Sequence, residues 1–253
     1  SGCKEIWITS QDCASYGLDM PQKKIFLPEL LRMILAIKGK FQVRLGMSNP
    51  NHILPIVKEL AELMKNLKMF KFLHIPLQSG SDKVISKMNR HYNSKDFEKI
   101  IQLLKKEIPN ITISTDIIVG FPTETEEDFE DTIELLNKTR PDIINISKFG
   151  SMPGTKASSL PEISKKVVMD RTQKMMALHN KLDLENNSAW IGKEVKVLVD
   201  ENNFGNIYTA RNDSYKHILI QSKEKLIGKI VNVKIVRADA HHLFGEIILE
   251  KDI

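Results

Sequence analysis

Between Lys4 and Ser147 the chain alternates two kinds of apolar pattern, and that alternation restricts the fold more than any other feature. Short runs such as Lys4–Thr9, Gln42–Gly46, Lys71–Leu77, Ile111–Val119 and Ile143–Ser147 are built around Ile, Val, Leu and Phe, with Trp7 in the first. They have the length and β-branching of buried strands rather than of helices. Segments with apolar residues three and four apart fall between them: Leu27–Ile37, Ile53–Leu67, Phe97–Leu104 and Phe129–Leu136. Strand and helix in strict alternation imply right-handed crossovers and a parallel sheet. Counted as five β-loop-α units and a closing strand, the pattern gives six strands, short of a closed eight-stranded barrel. The expected class is α/β, a partial TIM-like barrel.

Punctuation supports these boundaries. Pro28 suits a first helical turn and Gly39 a helix end. Asn51 and Ser81 stand where helix caps are expected, and Thr123-Glu-Thr-Glu126 has the spacing of a capping box.

The pattern changes after Gly150. Ser164 to about Trp190 reads as one long helix, with Val168, Met175, Leu178 and Leu182 as its stripe. From Gly192 five short strands follow within about 60 residues: Glu194–Val199, Ile207–Arg211, His217–Gln221, Ile230–Arg237 and Leu243–Glu250. That rhythm predicts a small antiparallel β-barrel of the OB-like kind. The expected division is 1–163, a connecting helix over 164–190, and 191–253.

In a parallel α/β protein, ligands gather where strand carboxyl ends and their loops share one mouth. His74, Gln78, Ser79, Ser81, Ser114 and Asp116 occupy or follow apolar strands there. Gln78-Ser-Gly-Ser81 exposes hydroxyls and backbone N–H groups that could hold a carboxylate or ribose, or could simply form a strand-to-helix turn. Asp116 lies within Ile, Val and Thr, so its carboxylate must be paired or ligand-bound. His74 reads more readily as a hydrogen-bonded core histidine than as a metal ligand. The acidic run from Glu124 to Glu134 suits a helix N-terminus with a solvated face.

The two cysteines, Cys3 and Cys13, cannot build a disulfide framework and lack zinc spacing, which suggests a reduced, cytoplasmic setting. No apolar run approaches the ~18 residues of a membrane span, so no membrane partner is expected. A net charge of +5 permits a nucleic-acid partner without requiring one. Lys83, Lys87, Arg90, Lys95, Lys99, Lys105 and Lys106 crowd one region, as an RNA contact or merely a soluble surface. Residues 191–253 carry ten basic against nine acidic side chains, so charge alone does not make that barrel an RNA binder. Its case rests on fold type and on flat or basic groups: Tyr208, Arg211, Tyr215, His217, Arg237 and His241.

Several ordered stretches resemble a known family. His74-Ile-Pro-Leu-Gln-Ser-Gly-Ser-Asp82 with Met88-Asn-Arg-His-Tyr92, then Asp116-Ile-Ile-Val-Gly-Phe-Pro122 running on to Phe129, are similar to signatures of the radical S-adenosylmethionine tRNA methylthiotransferases. Met152-Pro-Gly-Thr-Lys-Ala157 resembles a third signature, though without its frequent Arg before Pro-Gly-Thr. Lys4–Asp12 with Tyr16-Gly17 resembles the second barrel strand, and Arg44–Pro50 the archaeal and eukaryotic branch. The segment from Gly192 resembles the family's RNA-binding TRAM domain.

The resemblance implies a radical SAM partial barrel. It implies S-adenosylmethionine and [4Fe-4S] clusters as cofactors of the full-length protein, with tRNA and an electron donor as partners. The implied activity converts N6-threonylcarbamoyladenosine at tRNA position 37 to its 2-methylthio derivative. By matching positions, Gln11, Ser48, Gln78, Ser79 and Asp116 would border the S-adenosylmethionine pocket, with Thr155 at its rim. The family's Cys-x3-Cys-x2-Cys loop has no counterpart here. It would precede Ser1, so a missing upstream segment is expected, no metal ligand is assigned, and this chain alone should be inactive. A non-catalytic RNA-binding module and an enzyme modifying a ribosomal protein are the alternatives.

Overall fold

The computed structural model describes residues 2–203 and 205–248. Strands β1 (Glu5–Ile8), β2 (Gln42–Leu45), β3 (Phe72–His74), β4 (Thr112–Val119) and β5 (Ile143–Lys148) all run parallel. β1 pairs with β2, and β3-β4-β5 form a second sheet. A parallel bridge between Val43 and Met69 joins the two sheets, and Ser48 N–H donates to the His74 carbonyl at 3.0 Å. The result is one curved wall. It has five strands among the described residues, one fewer than the repeat count predicts, because two helices, Asp82–Lys87 and Ser94–Glu107, both follow β3 with no strand between them.

Six helices cover the wall: α1 (Leu27–Ala36), α2 (Pro50–Ile53), α3 (Val57–Met64), α4 (Asp82–Lys87), α5 (Ser94–Glu107) and α6 (Glu126–Thr139). Their apolar stripes, including Leu31, Leu60, Phe97, Ile100 and Phe129, close on Val43, Leu45, Leu73, Ile113 and Ile117 in one core. β4 is buried on both faces over most of its length, which explains its lack of polar alternation.

Three local expectations change. The helix expected over 53–67 is broken by a 3-10 turn at Leu54–Ile56, where Pro55 cannot donate to an α-helical ladder. Asn49, not Asn51, stands at the N-cap of α2, ahead of Pro50 at its first turn. Thr125, not Thr123, caps α6; its hydroxyl accepts from Asp128 N–H while Asp128 reaches back to Thr125 N–H. Thr123 instead takes a left-handed φ of 75°.

α7 (Lys165–Ser188) lies against β5 and α6, with Met175 and Leu182 buried. Arg171 projects from it into the start of α6, donating to Glu124 Oε2 at 2.8 Å and Glu126 Oε2 at 3.0 Å. The expected solvated acidic face therefore fails at two positions: Glu124 pairs with Arg171 in the interior, and Asp128 is buried as a capping residue.

The C-terminal module is a closed barrel of β6 (Glu194–Asn202), β7 (Ile207–Arg211), β8 (His217–Gln221), β9 (Ile230–Ala238) and β10 (Leu243–Ile247), ordered β10-β8-β7-β6-β9. It is not wholly antiparallel: β8 and β10 close the ring in parallel. Leu249 and Glu250, the expected end of the last strand, lie outside the described residues. A bulge at Phe244/Gly245 lets β10 turn inward, and a Cβ at Gly245 would sit 3.1–3.2 Å from Ile218 and Val233. Trp190, at the end of α7, fills the core with Val199, Tyr208, Ile220 and Val233.

The two modules meet through the β7–β8 turn. Tyr215 packs its ring on Phe70 and Phe72, with centroids 4.7 and 5.1 Å away, and donates its hydroxyl to Glu5 Oε1 at 3.0 Å. Lys216 is buried and donates to Asp142 Oδ1 at 2.8 Å and Asn187 Oδ1 at 3.1 Å. Among the described residues no helix is long and apolar enough to cross a membrane.

Candidate cofactor pocket and nucleic-acid surface

The carboxyl ends of β1, β2 and β3 open on a cavity of 280 Å³ lined by Gln11, Asp12, Ser15, Met47, Asn49, Pro76, Gln78 and Arg90. Two expected residues, Gln11 and Gln78, meet here although 67 positions separate them. Gln78 holds a left-handed φ of 69°, sustained because its N–H donates to the Asp116 carbonyl at 2.8 Å and its carbonyl accepts from Ile118 N–H at 2.9 Å. Strain locked in this way at a strand end is a common property of binding sites.

The other expected residues do not line this cavity. Ser48 is fully buried, and its hydroxyl points to the Gly46 carbonyl. Ser79 is buried against α6, with its oxygen 3.3 Å from Thr132 Oγ1. The N–H groups expected to meet a ligand are already used: Gly80 donates to Thr132 Oγ1 at 2.8 Å and Ser81 to Ser79 Oγ at 3.2 Å. A Cβ at Gly80 would lie 2.5 Å from Thr132 Cα, so only glycine permits this approach of loop to helix. Ser81 keeps the N-cap position of α4 but gives its hydroxyl to Asp128 rather than to the helix. Thr155 is exposed and bonds within its own turn, to the Met152 carbonyl at 2.8 Å.

Asp116 forms a row across three strands. Its Oδ1 lies 2.8 Å from His74 Nε2 and accepts from Asn145 Nδ2 at 2.9 Å. Burial pushes the Asp116 carboxyl up, but the His74 and Asn145 hydrogen bonds outweigh it and leave the group below its ordinary value. His74 is thus hydrogen-bonded, as its position suggested, but it is only partly buried and not part of the core.

A second carboxylate went unrecognised in the sequence. Asp12 accepts from Ala14 N–H at 3.1 Å, from Asn49 N–H at 3.1 Å and from Asn49 Nδ2 at 2.8 Å, and lies 2.6 Å from His52 Nδ1. Burial again pushes its pKa up, and the bonds from Asn49 and His52 bring it below the usual aspartate value. This network fixes the loop after β1 to the start of α2 and so shapes one wall of the pocket. Asp12 at the cap of a 3-10 turn was the available signal; its partners, 37 and 40 residues away, were not.

The polar lining suits S-adenosylmethionine, with amide groups from Gln11, Asn49 and Gln78 and a guanidinium from Arg90. It does not suit an iron–sulfur cluster. Cys13 is buried with Sγ 3.5 Å from the Ile8 carbonyl, Cys3 is exposed, and among the described residues no group of three His, Cys, Asp or Glu could hold a metal. These two thiols cannot supply the set of cysteine ligands that such a cluster takes.

On the small barrel the six expected residues divide. Tyr208 and Tyr215 are each only 6% exposed, one in the barrel core and one between the modules, so neither presents a face to a base. Arg211 is paired with Asp200 and lies over the Tyr215 ring. Its neighbour His217 has an exposed flank. Desolvation among the strands, and then the charge of Arg211, push its pKa down to about 4, so it is neutral at pH 7. Arg237 is exposed and stacks 3.3 Å over the centroid of Phe244, with His241 exposed nearby on the loop to β10. Phe244 was missed because it reads as one more apolar strand residue.

Residues 1–136 match the Radical SAM superfamily model and residues 189–248 the TRAM domain model. The chain is 39% identical over 251 residues to a probable threonylcarbamoyladenosine tRNA methylthiotransferase of Archaeoglobus fulgidus, covering 99% of this chain and 58% of that protein. It is 38% identical over 249 residues to the threonylcarbamoyladenosine tRNA methylthiotransferase of Drosophila melanogaster, covering 98% of this chain and 44% of the other. The chain therefore spans about half the length of these relatives. Coproporphyrinogen III oxidase of Escherichia coli, described as a radical SAM enzyme, superposes with a TM-score of 0.54 at 17% identity, over 71% of this chain and 40% of that one. At that identity the likeness concerns the fold alone.

Proposed function

Because this chain belongs to the Radical SAM superfamily and carries a TRAM domain behind the superfamily fold, we propose that it is the S-adenosylmethionine-binding and RNA-binding portion of a tRNA methylthiotransferase. The substrate is N6-threonylcarbamoyladenosine at tRNA position 37, and the product is its 2-methylthio derivative. The observation that carries this reading is the similarity that runs unbroken through both modules at 39% identity to a protein of that name.

The residues take distinct parts. Gln11 and Gln78 contact the cofactor with their amides, while Ser48, Ser79 and Asp116 hold the strand ends that position them. S-adenosylmethionine, when bound, supplies the radical chemistry for which the superfamily is named. No step is assigned to an iron–sulfur cluster, since the cysteines here do not fit one. Arg237, His241, Arg211 and His217 offer the RNA-facing surface, with Tyr208 and Tyr215 supporting it from within. The working division is 1–163, 164–190 and 191–253. An electron donor and a cytoplasmic location complete the proposal.

Mass spectrometry of tRNA nucleosides from cells lacking the gene tests it. The 2-methylthio derivative should vanish and N6-threonylcarbamoyladenosine should accumulate; persistence of the methylthio nucleoside overturns the reading.

A further inference from the structure

A crevice of 440 Å³ borders the amino ends of β4 and β5, the strand ends opposite to those that form the mouth. It lies between the ends of α5, α6 and α7 and the start of β6, so both modules line it. The proposed reaction makes no use of it.

The lining carries four cations, Lys105, Arg140, Lys193 and Lys216, against two carboxylates, Asp142 and Glu185. Both carboxylates are already engaged. Asp142 Oδ1 accepts from Lys216 Nζ at 2.8 Å and its Oδ2 from Ile113 N–H at 2.9 Å. Glu185 Oε2 accepts from Arg140 at 2.6 Å. Two ammoniums are left over. Lys105 donates only to carbonyls, those of Thr139 and Arg140 at 3.0 and 2.7 Å. Lys193 donates to Asn110 Oδ1 at 3.4 Å and lies 4.5 Å over the centroid of the Trp190 ring. Neither forms an ion pair among the described residues.

A lysine on the last carbonyls of a helix is ordinary, but this one is crowded by like charge as well as unpaired. Loss of hydration pushes the Lys105 pKa down, and Arg140 and Lys216 push it further against the pull of Asp142. Its counterpart across the crevice is held in place. Lys193 N–H donates to the Trp190 carbonyl at 3.1 Å, and its own carbonyl accepts from Ile235 N–H at 2.9 Å. The strand ends themselves are satisfied here; the spare charge is brought by α5 and by the link from α7 to β6.

An ammonium recognises phosphate as a point charge. Two of them match a phosphate monoester, which carries about −1.5 to −2 at pH 7, or two neighbouring backbone phosphates. A volume of 440 Å³ is within the size range of small-ligand sites. We propose that this crevice binds a phosphate group through Lys105 and Lys193. Bound there, the anion joins α5 to the small barrel and braces the two modules. It comes either from an RNA backbone, a source that rests on the function proposed above, or from a free phosphate compound.

Calorimetric titration of the purified protein with inorganic phosphate, at an ionic strength held constant with chloride, tests the site. Saturable binding is expected, with a Tm that rises with phosphate concentration. Lys105→Gln and Lys193→Gln should each weaken binding about 10-fold. Lys106→Gln removes the same charge from the same helix but outside the lining, and should change affinity less than about 2-fold. Lys105 also holds the end of α6, so where its variant unfolds, the exposed Lys193 carries the test. A second arm titrates whole tRNA into the same variants, with and without phosphate. If tRNA affinity falls in Lys193→Gln and phosphate competes, the group is a backbone phosphate; if tRNA affinity holds, it belongs to a free compound. Absence of saturable phosphate binding, or an equal loss in Lys106→Gln, overturns the assignment and leaves the proposed function in place. Failure of the unaltered protein to bind tRNA, with phosphate binding intact, overturns the proposed function and leaves the site.

Discussion

The two ends of the same parallel strands have been given opposite materials. At the carboxyl ends of β1, β2 and β3 the polar groups lining the cavity are three amides, the Ser15 hydroxyl, the hydrogen-bonded Asp12 carboxylate and a guanidinium with no ion pair among the described residues, and the pocket stays open. At the amino ends, Glu5, Phe70, Phe72 and Asp142 meet the β7–β8 turn through edge-on and tilted rings, a tyrosine hydroxyl and a buried ion pair. Arg44 joins that seam, with its guanidinium 4.6 Å from the Phe72 ring centroid and 5.1 Å from that of Tyr215. Its buried Nε has no hydrogen-bond partner, so ring faces take the place of an acceptor. One end is therefore satisfied from within, and the other is left with unspent polar groups. In a parallel α/β wall this separates stability from ligand binding along a single set of strands.

The largest effect should come from the seam. Lys216→Met leaves the Asp142 carboxylate buried without its cation, which costs about 3–5 kcal/mol. Denaturant titration should show a lower midpoint, and adding Asp142→Asn should recover part of it, because an asparagine oxygen can still accept from Ile113 N–H. A loss under about 1 kcal/mol would mean that water already reaches the pair, and the contrast between the ends would fail.

Tyr215→Ala comes next. Emptying the space between Phe70 and Phe72 should cost about 3–4 kcal/mol and lower Tm by roughly 6–16 °C. RNA affinity, measured well below the transition, should hold. Arg237→Ala should do the reverse: melting unchanged, RNA binding weakened, and the salt slope reduced by about one. If Tyr215→Ala lost RNA affinity at full folding, the ring would be a base-stacking surface after all.

These two tyrosines mark where sequence reading stops. The alternation of strands and stripes was legible because burying β2 to β4 under α3, α5 and α6 demands a fixed periodicity. Gln11 and Gln78 were legible as polar tips on apolar strands. Tyr208 and Tyr215 were not, since an aromatic residue in a small barrel has the same signature whether it fills the core, seals a seam or stacks on a base. Lys216 offered no sign of burial, because its partners Asp142 and Asn187 lie 74 and 29 residues away. The parallel closure of β8 on β10 also leaves no trace in strand lengths.

At the mouth the expected effects are smaller. Asp116→Ala removes the acceptor for His74 and Asn145 and should cost about 1.5–3 kcal/mol. It should also weaken S-adenosylmethionine binding, because the row beneath Gln78 loses its fixed geometry. Unchanged melting and unchanged affinity together would show that the row positions nothing.

The smallest expected effect is a slope rather than a loss, and it separates the mouth from the rest of the molecule. Asp12 has a folded pKa below its unfolded value, near 3.9. Its contribution to stability is therefore complete above that pH and is lost as pH falls through the folded pKa. Asp128, remote from the pocket lining, behaves in the same sense: burial raises its pKa, but bonds from Thr125, Ser81 and Lys83 lower it to about 2. Glu124 runs the other way, because burial raises its pKa despite Arg171, so its contribution is greatest in acid and fades as pH rises through the folded value. Asp12→Asn should consequently make the acid limb shallower below the unfolded aspartate value, while Asp116 and Asp128, whose pKa values are also lowered, keep part of the fall. Stability measured by urea titration at a series of pH values reads the difference. If the acid limb is unchanged in the variant, the Asn49 and His52 bonds do not hold Asp12 ionised, and the pocket wall they fix is no more rigid than an ordinary loop.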